Sequence, residues 1–343
     1  MKNAVVCLLA LSLLAQEPPH FDVQSRLVLV PVTITDQKGR TIEGFGQDDF
    51  VVLDNGRPQK VHVDSFATGV APIALVVAVQ SSGISAAVLT KVRKIGSMIQ
   101  PLITGERGCA ALVSFAERVE WHQECTSDAD ALGRAFLRLR PGAQKEARLL
   151  DAAHESIERL RKRPNVRRVL LLISESRDRG SETALETIAV DAQTAGVTVY
   201  AATYSALKTG FTVKSPDSAP PPPVSSLPTT EDLESPRTKT RPRVPPPQER
   251  VDLLGAIGEL SRLGKTKTTQ ILAQSTGGTE FAFARQKGLE GSIEKLGAEL
   301  HTQYVLSFTP AQPAAGYHHL EVRVAGHGDL SIRARPGYWQ RGQ

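Results

Sequence analysis

A run of polar residues directly follows the most apolar stretch of the chain. Residues 73–79 are consecutive apolar residues, and residues 80–85 read Gln-Ser-Ser-Gly-Ile-Ser. A helical pattern follows at spacings of three and four, formed by Val88, Val92, Ile95, Ile99 and Leu102. A buried strand, a small-residue loop and a helix make the first half of a βαβ unit, and ligands of such sheets sit at that loop. Residues 80–85 are therefore the first candidate for a functional site.

Catalytic motifs are not evident from residue spacing. Ser292 and Lys295 have the Ser-x-x-Lys spacing of some acyl-transfer enzymes, but no companion motif accompanies them. Residues 264–266, Gly-Lys-Thr, lack the upstream glycine of a phosphate-binding loop. The spacing of residues along the chain does not indicate a Ser-His-Asp triad, a catalytic pair of carboxylates or a Cys-His pair. These observations favour a protein that is not an enzyme, and a hydrolase whose site is assembled from distant residues remains the alternative.

The charge of the chain is mild for its length. A net charge of +5 and a pI near 9.1 over 343 residues, with only 5% aromatic residues, argue against a dedicated nucleic-acid binder. One basic run, Arg-Lys-Arg-Pro-Asn-Val-Arg-Arg, spans residues 161–168 after a predicted helix. Because cations are favourable at a helix C-terminus, we interpret this run as a solvated face, with an anionic partner as the alternative.

The amino end has the pattern of a secretory signal. Lys2 supplies a positive charge, residues 4–15 are predominantly apolar but too short to span a bilayer, and Ala15 is a small residue at the predicted cleavage site. No later segment approaches eighteen apolar residues. We therefore predict residues 1–15 as a signal peptide, and an exported protein with no membrane span, in the periplasm or outside the cell.

Two cysteines remain after removal of that segment. Cys109 and Cys125 lie in strand-like runs, 108–115 and 119–125, which a three-residue turn separates. A hairpin turning there makes the two cysteines cross-strand neighbours, at a separation that a disulfide can bridge. Export to an oxidising compartment favours a disulfide between them, and two buried free thiols are the alternative.

The remaining patterns divide the chain into four parts. Residues 22–68 form a small β unit that contains the hairpin signal Asp54-Asn-Gly, and strands alternate with helices through residues 72–308. That alternation is typical of a doubly wound α/β sheet. Residues 206–250 hold eleven prolines and predict a disordered insertion. In the tail, residues 309–343, apolar and polar residues alternate as they do in a half-exposed β-hairpin. This hairpin is a natural partner for the amino-terminal strands.

Several segments together resemble the von Willebrand factor type A (VWA) domain, and more closely the VWFA-related proteins described from acidobacteria. They are residues 48–59, 73–85, 169–174, 272–278 and 303–308, in this order and spacing. The resemblance covers nearly all of the chain apart from the signal peptide and the Pro-rich insertion. It implies a mostly parallel sheet with one antiparallel edge strand, which agrees with the cysteine hairpin. Residues 304–308 are expected to be an edge strand.

Many proteins of this family carry a metal-ion-dependent adhesion site with an Asp-x-Ser-x-Ser loop, a Thr and a further Asp. Here Gln80 stands at the first Asp, Ser82 is kept, and Ile84 stands at the second Ser. Ala147 takes the Thr position and Glu175 the last Asp position. So few oxygen ligands suit a magnesium ion poorly, and we interpret the loop as a metal-free descendant of the site, without a cofactor.

The sequence therefore predicts an exported, non-catalytic protein-binding or scaffolding module with a degenerate adhesion site. Its partner is expected to be another protein, bound by a loop face consisting of Gln80, Ser81, Ser82, Ser85 and Glu175. Glu175, as an unneutralised carboxylate, would attract a basic group. The alternatives are a metal-dependent adhesion protein that binds its ion through Ser81, Ser82, Ser85 and Glu175, or an unrecognised hydrolase, which should show a deep pocket with convergent titratable groups.

Overall fold

A computed structural model describes residues 27–64, 71–205, 267–311, 314–327 and 329–340. The predicted signal peptide, 1–15, and the Pro-rich insertion, 206–250, lie outside these residues. The helices of the described residues do not combine the length and apolar character that crossing a bilayer requires.

Strands alternate with helices over most of residues 72–308, as the sequence patterns predict. The strands are β1 (Val28–Thr35), β2 (Phe50–Asp54), β3 (Arg57–Gln59), β4 (His62–Asp64), β5 (Ile73–Gln80), β6 (Cys109–Phe115), β7 (Val119–Thr126), β8 (Arg167–Ser174), β9 (Val197–Thr203), β10 (Glu280–Ala282), β11 (Tyr304–Phe308), β12 (Gly316–Val324), β13 (Ser331–Ala334) and β14 (Gly337–Gln340). The α-helices are α1 (Ala86–Val92), α2 (Gly96–Ile99), α3 (Ala129–Arg138), α4 (Leu149–Arg161), α5 (Leu185–Thr194), α6 (Thr268–Ser275) and α7 (Gln286–Thr302).

The central sheet has six strands in the order β10-β9-β8-β5-β6-β7. Every neighbouring pair is parallel except β6 and β7, so β7 is the single antiparallel edge strand. All eight residues of β5 are buried, because the apolar side chains of this strand alternate between two cores. Helices α1, α2, α3 and α7 cover one face, and α4, α5 and α6 cover the other. The predicted doubly wound fold is confirmed.

The structure contains the predicted disulfide between Cys109 and Cys125, whose Cα atoms lie 5.3 Å apart. Near the turn, β6 and β7 follow the predicted register, with Phe115 opposite Val119. Two register shifts further along place Ala110 opposite Thr126. The cysteines are therefore joined across an irregular part of the hairpin and are not directly opposite each other.

Two antiparallel sheets form a β-sandwich beside the central sheet, with strand orders β13-β1-β11-β4 and β14-β12-β2-β3. They enclose a third apolar core, with Val30, Val52 and Leu306 among its buried residues. The amino-terminal strands thus pair with the strands of the tail, as the sequence suggested. This pairing lets the small β unit share a larger core.

Two strand predictions within this region were wrong. The predicted hairpin of the tail, between residues 319–325 and 330–334, does not form, because β12 pairs with β2 and β14 whereas β13 pairs with β1. Residues 304–308 form β11, which lies between β1 and β4 of the sandwich and not at an edge of the central sheet. The reason is that β1 is buried along most of its length and needs a partner strand on each side.

A buried polar cluster connects the sandwich to the α/β layers. Glu299 on α7 accepts a hydrogen bond of 2.8 Å from Tyr200 on β9 and lies 2.6 Å from Arg333 on β13. Gln303 donates to Tyr200 at 3.1 Å. Burial and the Glu299 carboxylate raise the pKa of Tyr200, so its hydroxyl remains a hydrogen-bond donor. Because breaking such a buried pair is costly, the cluster holds the two parts in one arrangement.

Candidate functional site

The carboxyl ends of β5, β8 and β9 meet at one edge of the central sheet, and there the polar loop 80–85 lies. Gln80 at the end of β5 donates through Nε2 to Ser82 Oγ at 2.9 Å. Ser82 Oγ lies 3.1 Å from Ser85 Oγ, and one of the two hydroxyls donates to the other. Tyr204, directly after β9, donates its hydroxyl hydrogen to Ser85 Oγ at 2.8 Å. The four side chains form one buried hydrogen-bonded chain, which we call the Gln80–Tyr204 network.

The network also ties the loop after β8 to β5. The side-chain oxygen of Gln80 accepts a hydrogen bond of 2.9 Å from the backbone N–H of Glu175. Both ends of the Gln80 amide are therefore used within the protein. Burial raises the pKa of Tyr204 well above its usual value, so the tyrosine stays a hydrogen-bond donor to Ser85 at physiological pH.

A covering loop, residues 140–147, packs directly on loop 80–85. The backbone N–H of Gly142 donates to the carbonyl of Ser81 at 2.6 Å, and that of Gly83 donates to the carbonyl of Gln144 at 2.7 Å. Three carbonyl oxygens of the covering loop lie 3.1–3.2 Å from the point where a Cβ on Gly83 would stand. This contact leaves little room for a side chain at Gly83, and it closes the loop from outside.

The loop after β8 is fastened by charged groups of its own. Arg179 Nη2 lies 2.9 Å from the Glu175 carboxylate. The prediction that Glu175 is unneutralised was therefore wrong, because Arg179 four residues later already pairs with it. Asp151 at the start of α4 accepts hydrogen bonds from Glu182 and Thr183, which hold this loop against the helix.

The electrostatics of Asp151 favour its ionised form. Burial opposes ionisation, but hydrogen bonds from Thr183 and Glu182, with the charge of Arg148, outweigh it and lower the pKa of this carboxyl. A carboxylate that accepts several hydrogen bonds contributes to stability only while it remains ionised. The loop 175–183 is thus anchored by a charge that is present at neutral pH.

The structure brings the five predicted face residues to the same edge of the sheet, but most of them are not on the surface. Gln80, Ser81, Ser82 and Ser85 are at most 6% exposed. The expectation that these side chains contact a partner directly is therefore wrong, because the network and the covering loop bury them. Sequence reasoning missed Tyr204 and Arg179. The position of Tyr204 directly after a predicted strand of the same sheet was the available signal for it.

The donor atoms of this site do not suit a divalent cation. A magnesium site needs several free oxygen ligands in nearly octahedral geometry. Gln80 presents an N–H group to Ser82, and the hydroxyls of Ser82 and Ser85 are engaged with each other and with Tyr204. The Glu175 carboxylate faces Arg179. Within the described part of the chain, no cluster of three or more His, Cys, Asp and Glu side chains is arranged to hold a metal ion.

Among the features of the described residues, a Ser–His pair most resembles part of a hydrolytic site. Ser114 Oγ lies 2.7 Å from His122 Nε2 across the β6–β7 hairpin. Ser114 is only 3% exposed. Neither residue lines any of the five cavities characterised along the described residues, which have volumes of 120–630 Å³. A buried serine that lines none of these cavities gives no support to the hydrolase interpretation.

The sheet order and the loop at the carboxyl end of β5 define the class of the fold. A six-stranded sheet with one antiparallel edge strand, covered by helices on both faces, is the fold of a VWA domain. No family model and no curated protein sequence matches the chain. The narrower likeness to the acidobacterial proteins stays a prediction from the sequence.

Solved structures with a similar arrangement include three proteins of different origin. The conserved hypothetical protein BatB from Bacteroides thetaiotaomicron is 16% identical over 66% of this chain and 99% of its own, with a TM-score of 0.41. A von Willebrand factor type A structure from Catenulispora acidiphila is 9% identical over 94% and 76%, with a TM-score of 0.43. Proximal thread matrix protein 1 from the mussel byssus was solved with zinc in its MIDAS motif, that is, its metal-ion-dependent adhesion site. It is 11% identical over 73% of this chain and 50% of its own, with a TM-score of 0.45. Since these values are low, the fold class rests on the sheet topology itself.

Proposed function

We propose that the protein is an exported, non-catalytic protein-binding or scaffolding module of VWA type that engages another protein without a metal ion. The observation that carries this proposal is the closed Gln80–Tyr204 network at the loop that the resemblance to the VWA domain assigns to the adhesion site. In it, a neutral amide and three hydroxyls satisfy one another, so the loop edge keeps its shape without a cation. A fully satisfied buried polar network makes its surroundings rigid.

In this proposal Gln80, Ser81, Ser82 and Ser85 position the face, and the surface around them contacts the partner. The Glu175–Arg179 pair lies at its rim, and the covering loop presents exposed Lys145 and Glu146 beside it. Charges of both signs at a rim chiefly set the rate and the salt dependence of association. The partner is therefore expected to present charges of both signs and to associate more slowly as salt increases.

Export is supported by two independent features. The first is the signal-like amino end. The second is the bond between Cys109 and Cys125, because disulfides persist in oxidising compartments such as the periplasm and the extracellular space. We propose a periplasmic or extracellular location on this basis. The mild net charge supports a protein partner over a nucleic acid.

Metal titration tests this proposal. Calorimetry of the wild-type protein with magnesium and with manganese should show no saturable heat, and Tm should not rise, because only a ligand that binds the native state raises it. The double substitution Gln80→Asp with Ile84→Ser, which restores the Asp-x-Ser-x-Ser pattern, is the matched comparison. A saturable rise in the Tm of the wild type that Ser82→Ala abolishes would restore the metal-dependent alternative.

Partner binding is tested with the exported protein as bait in an envelope extract. The same partner should be captured in the presence and in the absence of EDTA. Substituting Lys145→Glu in the covering loop should weaken capture and change its salt dependence. Capture that EDTA prevents would contradict the proposal.

A further inference from the structure

One arginine is buried without an anion beside it. Arg335, between β13 and β14, is only 5% exposed. Its Nη1 donates to the carbonyl of Gln193 at 3.3 Å, and its Nε is buried with no hydrogen-bond partner among the described residues. A guanidinium carries five N–H donors, and buried charges are ordinarily paired with a counter-charge. Burial lowers the pKa of Arg335 to about 10, so the side chain remains charged at neutral pH.

Arg335 lines a cleft between the β-sandwich and the central sheet, which we call the arginine cleft. Its volume is 350 Å³, within the range of small-molecule sites. Charged residues in its lining are Arg167, Arg168, Arg335 and a single carboxylate, Asp64, which is itself exposed. The cleft lies at the amino ends of β8 and β9, whereas the Gln80–Tyr204 network lies at the carboxyl ends. It is therefore independent of the face proposed for the protein partner.

The two neighbouring arginines also donate to neutral groups. Arg168 donates to the backbone carbonyls of Arg163 and Ala195. Arg167 donates to the carbonyl of Leu300 at 2.6 Å and to the side-chain oxygen of Gln303 at 2.7 Å. The Glu299 carboxylate acts on Arg167 through its charge, but it is bound by Arg333 at 2.6 Å. The lining of the cleft consequently keeps an excess of positive charge.

A purely structural role explains only part of this arrangement. Arg168 and Arg335 both donate to carbonyls at the end of α5, where cations satisfy helix C-termini. Arg168 makes three hydrogen bonds to backbone carbonyls, one to Ala195 and two to Arg163, which are enough to account for its position. Arg335 makes a single long hydrogen bond and also lies over the Tyr338 ring, 5.7 Å from its centroid, but neither contact supplies a counter-charge for its buried guanidinium.

The rest of the lining is largely apolar. Side chains of the sandwich and of the central sheet face the cleft together, among them Leu29, Pro31, Val169, Val197 and Val305. An apolar wall with one unpaired guanidinium suits a ligand with an aliphatic body and one anionic end, because arginine pairs with carboxylates in a fork-like geometry. We propose that the arginine cleft binds a small organic carboxylate with an aliphatic body and that Arg335 holds its carboxylate. Arg167 and Arg168 of the basic run 161–168 line the same cleft, so this proposal follows the anionic-partner alternative for that run.

Octanoate is a suitable probe for this proposal. Titration of the full protein should raise Tm saturably and give saturable heat in calorimetry. Octylammonium and octan-1-ol, which have the same chain without a negative charge, should leave Tm unchanged. An equal response to octan-1-ol, or no response to millimolar octanoate, would overturn the proposal, and both outcomes are read on the wild-type protein.

The substitution Arg335→Met then assigns the role of the guanidinium. It should weaken octanoate binding roughly tenfold or more, as loss of a hydrogen bond to a charged group implies. Without ligand, its Tm should equal or exceed that of the wild type, because a buried unpaired cation has been replaced by an apolar side chain of similar length. Arg177→Met, on the opposite edge of the sheet, is the matched control and should leave octanoate binding unchanged. Unchanged affinity in Arg335→Met, with a lowered Tm, would mean that Arg335 is only structural.

Discussion

Replacing Gln80 with Met tests whether the buried network fastens the loop edge. Methionine has nearly the length and shape of glutamine, but it can neither donate to Ser82 nor accept from the backbone N–H of Glu175. Both of these contacts are 2.9 Å long in the structure, and Gln80 is only 1% exposed. The substitution therefore removes two buried hydrogen bonds without creating a large cavity.

The expected loss of stability follows from these two contacts. Each hydrogen bond contributes about 0.5–1.5 kcal/mol net, and the N–H of Glu175 left without an acceptor adds a penalty of about 1–3 kcal/mol. The greater hydrophobicity of methionine offsets part of the sum, so we expect about 2–3 kcal/mol of destabilisation. Because the entropy of unfolding grows with the number of folded residues, such a change corresponds here to a fall in Tm of roughly 3–6 °C.

Thermal and urea unfolding followed by circular dichroism measure this change. The control is Gln144→Met in the covering loop, whose side chain is exposed, and it should alter stability by less than about 0.5 kcal/mol. If Gln80→Met is no more destabilising than Gln144→Met, the network does not hold the loops together, and the central observation behind the proposed function is lost.

Three further predictions concern the disulfide and the loop after β8. Non-reducing mass spectrometry of exported protein should find Cys109 linked to Cys125, and reduction should lower stability by up to about 3 kcal/mol for cysteines 16 residues apart; two free thiols would contradict this. Asp151→Asn should be less stable than the wild type at neutral pH. Because folding lowers the pKa of Asp151, its carboxylate stabilises the protein fully above the unfolded pKa, and this stabilisation disappears as pH falls through the folded pKa. The stabilities of the two proteins, measured by unfolding at a series of pH values, should therefore converge in acid. A stability difference that does not change with pH would show that the carboxylate is unimportant. Glu175→Gln should weaken partner capture but cost less than about 1 kcal/mol of stability, because Arg179 is substantially exposed; unchanged capture would remove the rim pair from the proposed face.

Local patterns in the sequence were sufficient for the central sheet and the cysteine hairpin. The apolar run that forms most of β5 contains no polar residue that could face solvent, so it predicts a strand covered on both faces. In the structure all residues of β5 are buried. The turn between β6 and β7 is only three residues long, so it brings Cys109 and Cys125 together even though the register shifts near them. Short-range geometry carried both of these predictions.

The pairing of the tail was beyond local patterns. Alternating apolar and polar residues indicate a strand with one buried face. They do not predict which strand it pairs with, because the backbone groups that form the hydrogen bonds are the same in every strand. The pairing was decided by β1, which is buried along most of its length and takes β11 on one side and β13 on the other. Limited proteolysis between Lys208 and Arg250 remains the test of the insertion predicted from composition alone.

By itself, the sequence determined which side chains stand at the carboxyl ends of the strands, and hence which donor atoms are present there. Only the tertiary structure decided how those side chains are used. Gln80 meets the backbone of Glu175 across 95 residues, and Ser85 meets Tyr204 across 119. Contacts of this kind depend on the order of strands and on the path of the loops between them. The burial of the side chains that were expected to contact a partner depends on the same features. The same dependence placed Arg335, far from Arg168 in the chain, in one cleft with it.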